Sequence, residues 1–235
     1  MLFYDNADEY FEEEHKRLIQ RKSANLPDEG SITKLLLPSA KLNENDHFPH
    51  YLLGHDVESL EVDFRGIVGE RHQSMTRGSG GRELKVYPRG TEIRGHRHLF
   101  VSCTADIAEL SRRMEIEITA EMLGLNLLID RPDGEDFSIT ELPIGTMMLL
   151  GEEGATQPEK PPLATLTSFV KQEGCGITGK LIANHYGDPT LTRKFREVSK
   201  DHRGILCSVE FPVSTTVELK RGQRVFFRYS KGLAP

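Results

Sequence analysis

Between Arg65 and His98 the chain carries seven arginines (Arg65, Arg71, Arg77, Arg82, Arg89, Arg94 and Arg97) and Lys85, against Glu70, Glu83 and Glu92. The segment is thus strongly basic inside a chain of formal net charge −6. A reversal of sign on that scale points to a site for something anionic. Arginine in place of lysine sharpens the reading. A guanidinium is a planar fork that gives a phosphate or carboxylate two parallel hydrogen bonds, whereas an ammonium is a point charge. Glycines at 66, 69, 78, 80, 81, 90 and 95 interleave the arginines and let backbone N–H groups approach an anion closely. A solvated basic loop is the plainer alternative.

Within this stretch Arg82, Arg89, Arg94 and Arg97 are the strongest expected ligand contacts, because each adjoins a glycine or a turn. Arg71, Arg77 and His72 join them. Arg65 alternates with Asp63 and is read as its ion-pair partner. His72 could relay a proton or add a cation, but no carboxylate or cysteine cluster of metal-ligand spacing surrounds it. His96 and His98 bracket Arg97 at strand spacing, and a solvent-facing strand edge is the simpler reading. No conventional metal site is expected. Asn126 stands in the apolar run Leu125-Asn126-Leu127-Leu128. A buried unpaired amide costs about 1–3 kcal/mol, so it must hold either a ligand or a neighbouring loop.

The second chemical feature is Cys175, in Gly174-Cys175-Gly176. Glycines on both sides leave a thiol accessible, and thiolate chemistry depends on access and on nearby cations. An ordinary loop cysteine is the alternative. Cys103, where a strand turns into a helix, and Cys207, in an alternating strand, read as structural. Three cysteines without metal spacing suit a reduced, cytoplasmic protein.

The elements that position these residues read mostly as strands. The 235 residues suffice for a substantial core, as one large domain or two small ones. No apolar run is long enough to span a membrane, and the acidic N-terminus lacks the form of a secretory signal. The acidic balance and the few aromatics in the basic stretch argue against nucleic acid. Residues Asp5 to Ala24 read as a charged helix, a docking element for the main domain or for a protein partner. From Ser31 on, short apolar or alternating runs lie between turn residues: Ile32–Leu37, Val57–Val62, Leu84–Tyr87, His98–Ser102, Leu125–Asp130, Thr146–Leu150, Ile205–Phe211, Thr215–Leu219 and Arg224–Tyr229. Helices are expected at Thr104–Met114 (capped by Thr104), Ala120–Leu123, Ser168–Lys171 and Thr190–Ser199. Many short strands with few helices predict a mainly β fold, a closed or nearly closed barrel with helical insertions. The organisation follows as residues 1–30, a helical extension, and 31–230, the barrel domain.

One ordered series of motifs resembles a known family. It runs through Gly66-Ile67-Val68-Gly69-Glu70-Arg71-His72, Met75-Thr76-Arg77, Gly81-Arg82 and Tyr87-Pro88-Arg89-Gly90-Thr91-Glu92-Ile93-Arg94. It continues with Leu123-Gly124-Leu125-Asn126-Leu127, His202-Arg203-Gly204-Ile205 and Leu219-Lys220-Arg221-Gly222. The series resembles the MOSC domain, named for the C-terminal domain of molybdenum cofactor sulfurase, over roughly Ser31 to Arg228. The resemblance implies a barrel like that of pyruvate kinase and a role in sulfur carriage or in binding molybdenum cofactor. Pyridoxal phosphate is the weaker cofactor candidate. In many members a cysteine, soon after a proline and after a strand in the second half of the domain, carries a persulfide or holds molybdenum. The matching slot here is taken as Pro158–Leu163, which holds no cysteine. Glu70 and Gly222-Gln223 depart from the family's aspartate and Gly-Asp pair. The expectation is a MOSC-like protein that binds an anionic cofactor through its arginines, with Cys175 as a displaced sulfur carrier. A non-catalytic anion-sensing or partner-binding scaffold is the alternative.

Overall fold

The computed structural model describes residues 26–38, 54–80, 86–172 and 174–229. The expected N-terminal helix lies outside them. Thirteen strands run through the described residues: β1 (Glu29–Pro38), β2 (Gly54–Asp56), β3 (Ser59–Asp63), β4 (Gly66–Ile67), β5 (Thr76–Gly78), β6 (Glu92–Arg94), β7 (Leu99–Ser102), β8 (Leu127–Asp130), β9 (Met147–Glu153), β10 (Ala164–Lys171), β11 (Ile205–Phe211), β12 (Val217–Lys220) and β13 (Gln223–Arg228). They are interrupted by α1 (Thr104–Met114), α2 (Ala120–Leu123), α3 (Gly176–Tyr186) and α4 (Leu191–Val198).

Seven strands form a closed barrel in the order β13-β9-β10-β11-β7-β8-β1, and β1 pairs back onto β13. All the pairings are antiparallel except β7 with β8. A parallel pair needs a long crossover, and α1 with α2 supplies it. The mainly β barrel expected from the sequence is therefore the fold. Side chains alternate along its strands. Leu35, Leu99, Val101, Leu127, Ile129, Ile205, Cys207 and Phe227 fill the interior. Their neighbours Leu36, Phe100, Leu128 and Leu206 face outward into a second cluster with Leu110, Met114, Ile182 and Phe195 of the helices. On this side the sheet is buried on both faces, which is why these strands read as nearly continuous apolar runs.

The arginine stretch lies off the barrel. It includes β4, at the edge of a small sheet β12-β3-β4, and the β5–β6 hairpin.

Three expectations and one omission need correction. Ser168–Lys171 is not helical but the end of β10, where Ser168, Val170 and Lys171 pair with Cys207, Leu206 and Ile205 around a bulge. Thr165, Thr167 and Val170 are β-branched and suit a strand. Thr104 does not cap α1. Cys103 holds the N-cap position, and the Asp130 carboxylate accepts from the Thr104 N–H at 2.7 Å and hydroxyl at 2.9 Å. Helix α3 was not expected, because Gly176 and Gly179 weaken its helical signal. Gly179 is needed where α4 crosses: a Cβ there would lie 2.9 Å from the Thr192 carbonyl oxygen. Of the expected strand Leu84–Tyr87, Leu84 and Lys85 lie outside the described residues, while Val86 and Tyr87 form a turn.

Candidate functional site

Cys175 sits where the chain leaves the barrel after β10 and enters α3. Gln172 still donates its N–H to the Gly204 carbonyl at 2.8 Å, continuing the barrel edge. Gly174 then passes tightly against the end of α4, where a Cβ would meet Ser199 Oγ at 2.2 Å and Arg196 Cα at 2.9 Å. Cys175 is extended (φ −103°, ψ 146°) and is the N-cap of α3. The sulfur is thereby held at a helix N-terminus rather than in a flexible loop. Its Sγ accepts from the Thr178 N–H at 3.3 Å and lies 3.1 Å from Thr178 Oγ1. The residue is half-buried, Gly176 borders open space, and Ile177 is 53% exposed.

Beneath α3 lies Arg203, only 5% exposed. Its guanidinium stands over the rings of Phe100 and Phe195, 5.1 and 5.7 Å from their centroids. It donates to Thr178 Oγ1 at 2.7 Å and to the Leu123 carbonyl at 3.1 Å. The next residue, Gly204, has φ +115°, and a Cβ there would lie 2.3 Å from the Val101 carbonyl oxygen. Only glycine accommodates that turn, which places Arg203 where it is. Burial alone would raise the Cys175 thiol. The Arg203 charge and the hydrogen bonds from Thr178 outweigh it and hold the thiol below its ordinary range. Cys103 and Cys207 differ. Both are fully buried, and burial, aided at Cys103 by the Asp106 charge, pushes their thiols up. Arg203 was not among the residues expected at the site. The signal was its place in the His202-Arg203-Gly204-Ile205 motif and the glycine after it.

The arginine stretch is arranged otherwise. Arg71 is exposed, 3.5 Å from Glu70. Glu70 also accepts from the His72 N–H at 2.6 Å and lies 3.1 Å from the His72 ring. Burial would raise the Glu70 carboxyl, but His72 and Arg71 hold it below the usual range. Arg77 donates to His96 Nε2 at 2.8 Å and to the Gly78 carbonyl at 3.1 Å. His96 is buried and stacks on Phe169 with ring centroids 4.0 Å apart. Arg94 pairs with Glu210 at 2.7 Å and lies over Phe64. In the β5–β6 register Arg94 faces Thr76 and Arg77 faces Ile93, so Arg77 and Arg94 stand on opposite faces of the hairpin. Arg89 is exposed in a turn and Arg97 is half-buried. Arg82 lies outside the described residues.

His98 is a structural latch. Its Nδ1 accepts from the Val209 N–H at 3.0 Å and its Nε2 donates to the Ser74 carbonyl at 3.1 Å. Burial, with help from the Arg94 charge, lowers its pKa and keeps the ring neutral. Asn126 is a second latch. Its Oδ1 accepts from the Phe100 N–H at 2.8 Å, while its backbone bonds to the Phe100 carbonyl and the Leu36 N–H. It thus ties β7, β8 and β1 together.

A cleft of ≈ 330 Å³ adjoins the Ser199–Gly204 loop, lined by Lys171, Lys200, His202 and Arg113 with Glu141 and Asp201. No residue between Arg65 and His98 lines it. Among the described residues no group of three His, Cys, Asp or Glu side chains could hold a metal ion. None of the helices described is long and apolar enough to cross a membrane.

No family model matches the chain. It is 29% identical over 159 residues to YuaD of Bacillus subtilis (strain 168), which carries the name of a metal-sulfur cluster biosynthesis protein. The match covers 66% of this chain and 74% of that one. The crystal structure of the YuaD protein from Bacillus subtilis superposes with a TM-score of 0.67 at 23% identity, over 86% of this chain and 97% of the other. That superposition shows a shared fold. YiiM from Geobacillus stearothermophilus gives a TM-score of 0.49 at 11% identity, over 85% of this chain and 75% of the other, too distant to argue from.

Proposed function

We propose that the protein is a MOSC-like sulfur carrier, in which Cys175 takes up a sulfane sulfur as a persulfide and passes it on for metal-sulfur assembly. One observation carries the reading: a buried arginine, Arg203, is placed under the helix end that Cys175 caps, and it favours the thiolate of a half-buried cysteine. Two others support it. The similar protein YuaD is named for metal-sulfur cluster biosynthesis. The resemblance asks for a cysteine soon after a proline and after a strand in the second half of the domain; Cys175 meets the second condition, following β10, and is a displaced carrier. The slot Pro158–Leu163 instead joins β9 to β10, at the other end of that strand. A reducing compartment, the cytoplasm, suits such a thiol.

The chemistry requires no outside oxidant. The Cys175 thiolate attacks the sulfane sulfur of a donor persulfide R–S–SH. A sulfur–sulfur bond forms at Cys175, the donor's sulfur–sulfur bond breaks, and R–S⁻ leaves with the electron pair. Cys175 then holds –S–SH, and a second nucleophile reverses the exchange to accept the sulfur. Binding of molybdenum cofactor or pyridoxal phosphate at the arginine stretch is a separate proposal. Arg77 and Arg94 face opposite ways on one hairpin and so do not fit a single cradle, and no step of the transfer runs through such a group.

Incubation of the reduced protein with a small-molecule persulfide should add the mass of one sulfur atom to the peptide containing Cys175. The Cys175→Ser variant should gain none. A protein that takes up no sulfur, or takes it up equally well without Cys175, would favour the partner-binding scaffold instead.

A further inference from the structure

The hydrogen bonds around Thr178 have a direction. A threonine hydroxyl has one proton to give and two lone pairs to receive. Arg203 can only donate, and its Nη2 occupies one lone pair of Thr178 Oγ1 at 2.7 Å. The Cys175 sulfur lies 3.1 Å from the same oxygen. A thiolate can only accept, so beside it the hydroxyl must turn its proton to the sulfur. We infer that Thr178 is the positioning residue of Cys175: its hydroxyl, oriented by the buried Arg203, donates a hydrogen bond to the sulfur whenever the sulfur is anionic. The inference rests on the sulfur-carrier reading for its purpose, since that chemistry passes through a Cys175 thiolate on loading and again when the sulfur leaves.

The arrangement separates two contributions of one residue. The Thr178 backbone N–H donates to Sγ at 3.3 Å as any N-cap contact would, and it survives any substitution of the side chain. The hydroxyl does not. The chain also gives the buried Arg203 charge a route to the sulfur: the guanidinium polarises the Thr178 hydroxyl, and hydrogen bonds in such a chain strengthen one another. Together the two Thr178 donors fix the sulfur from the α3 side and leave its approach over Gly176, where open space begins.

The test is the pH dependence of Cys175 alkylation by iodoacetamide in the full chain, read by mass spectrometry at that site. Thr178→Val keeps the shape and the amide but removes the hydroxyl. It should move the midpoint up by about one pH unit, the size expected for losing a hydrogen bond to a charged group. Thr178→Ser keeps the hydroxyl and should restore the parent midpoint. If the valine variant does not fold, Thr178→Ala is read in the same way. A parent midpoint retained by the variant without the hydroxyl would overturn the inference, as would an equal shift in Thr178→Ser, which would reduce Thr178 to a packing residue. Sulfur loading of Cys175 is a separate measurement, and its failure would leave this shift in place.

Discussion

The arginine stretch and the Arg203 site show two ways in which one side chain carries charge. In the stretch the cations are many; Arg65, Arg71, Arg89 and Arg94 are exposed, and Arg71, Arg77 and Arg94 contact Glu70, His96 and Glu210. At the other site one arginine is nearly sealed from water between Phe100 and Phe195. Exposed charges are screened by solvent and salt, while a buried one acts through a low dielectric. The comparison teaches that charge density along a sequence is a poor guide to electrostatic influence at a site. Burial and the direction of the donors decide it.

The largest effect should come from Arg203→Ala. It removes hydrogen bonds from a buried charged group and two ring contacts, and should cost about 3 kcal/mol of stability by urea unfolding. A loss no larger than that of an exposed arginine would erase the contrast. Next in size is the order of alkylation. Cys175 should react first, with Cys103 and Cys207 slower on the order of a hundredfold or more, since they must wait for local opening. Similar rates at all three sites, by mass spectrometry after brief iodoacetamide treatment, would show that the Cys175 thiol is not activated.

Much of the barrel was legible. The runs at Ile205–Phe211 and Leu127–Asp130 are apolar because they bury both faces, and Gly124 ends α2 with φ +69°. The end of β10 and helix α3 were not, because their identity is settled by contacts far apart in the chain: the ladder from Ser168 to Cys207, and the crossing of α4 at Gly179. For the site, Cys175 could be singled out from its glycines, but those glycines suggested flexibility where the structure has tight passage on one side and a helix start on the other. Arg203 was hidden because nothing local joins it to a residue twenty-eight positions earlier. The arginine stretch is the opposite case. Its charge is visible, whereas the alternation that sends Arg77 and Arg94 to opposite faces appears only with the β5–β6 register.

A smaller effect is expected at His98, the latch between the stretch and the barrel. Its folded-state pKa is lowered by burial, so the unfolded chain binds the proton more readily. The stability it contributes is complete above about pH 6.5 and is lost as pH falls through the folded-state value. Protonation would also end acceptance of the Val209 N–H. His98→Ala should cost about 2 kcal/mol at neutral pH, for two hydrogen bonds, and less at pH 5, where the parent has lost part of that contribution. Urea unfolding at the two pH values checks the sign. A gap that widens in acid would mean that the folded state prefers the charged ring.

The smallest effects should come from the stretch itself. Arg89 is exposed in a turn, so Arg89→Ala should change stability by no more than about 0.5 kcal/mol. Arg94→Ala breaks a half-exposed pair with Glu210, worth about 0–1 kcal/mol. Neither should move the alkylation midpoint of Cys175, because the charge that lowers that thiol is Arg203. Salt provides an independent check. Raising ionic strength screens exposed charges beyond about 8 Å, yet the contact from Arg203 through Thr178 is buried and short, so the midpoint should hardly respond. Should Arg89→Ala, or salt, shift that midpoint as far as Thr178→Val does, the two regions would form one electrostatic unit. The arginine stretch would then be part of the sulfur site rather than a separate surface.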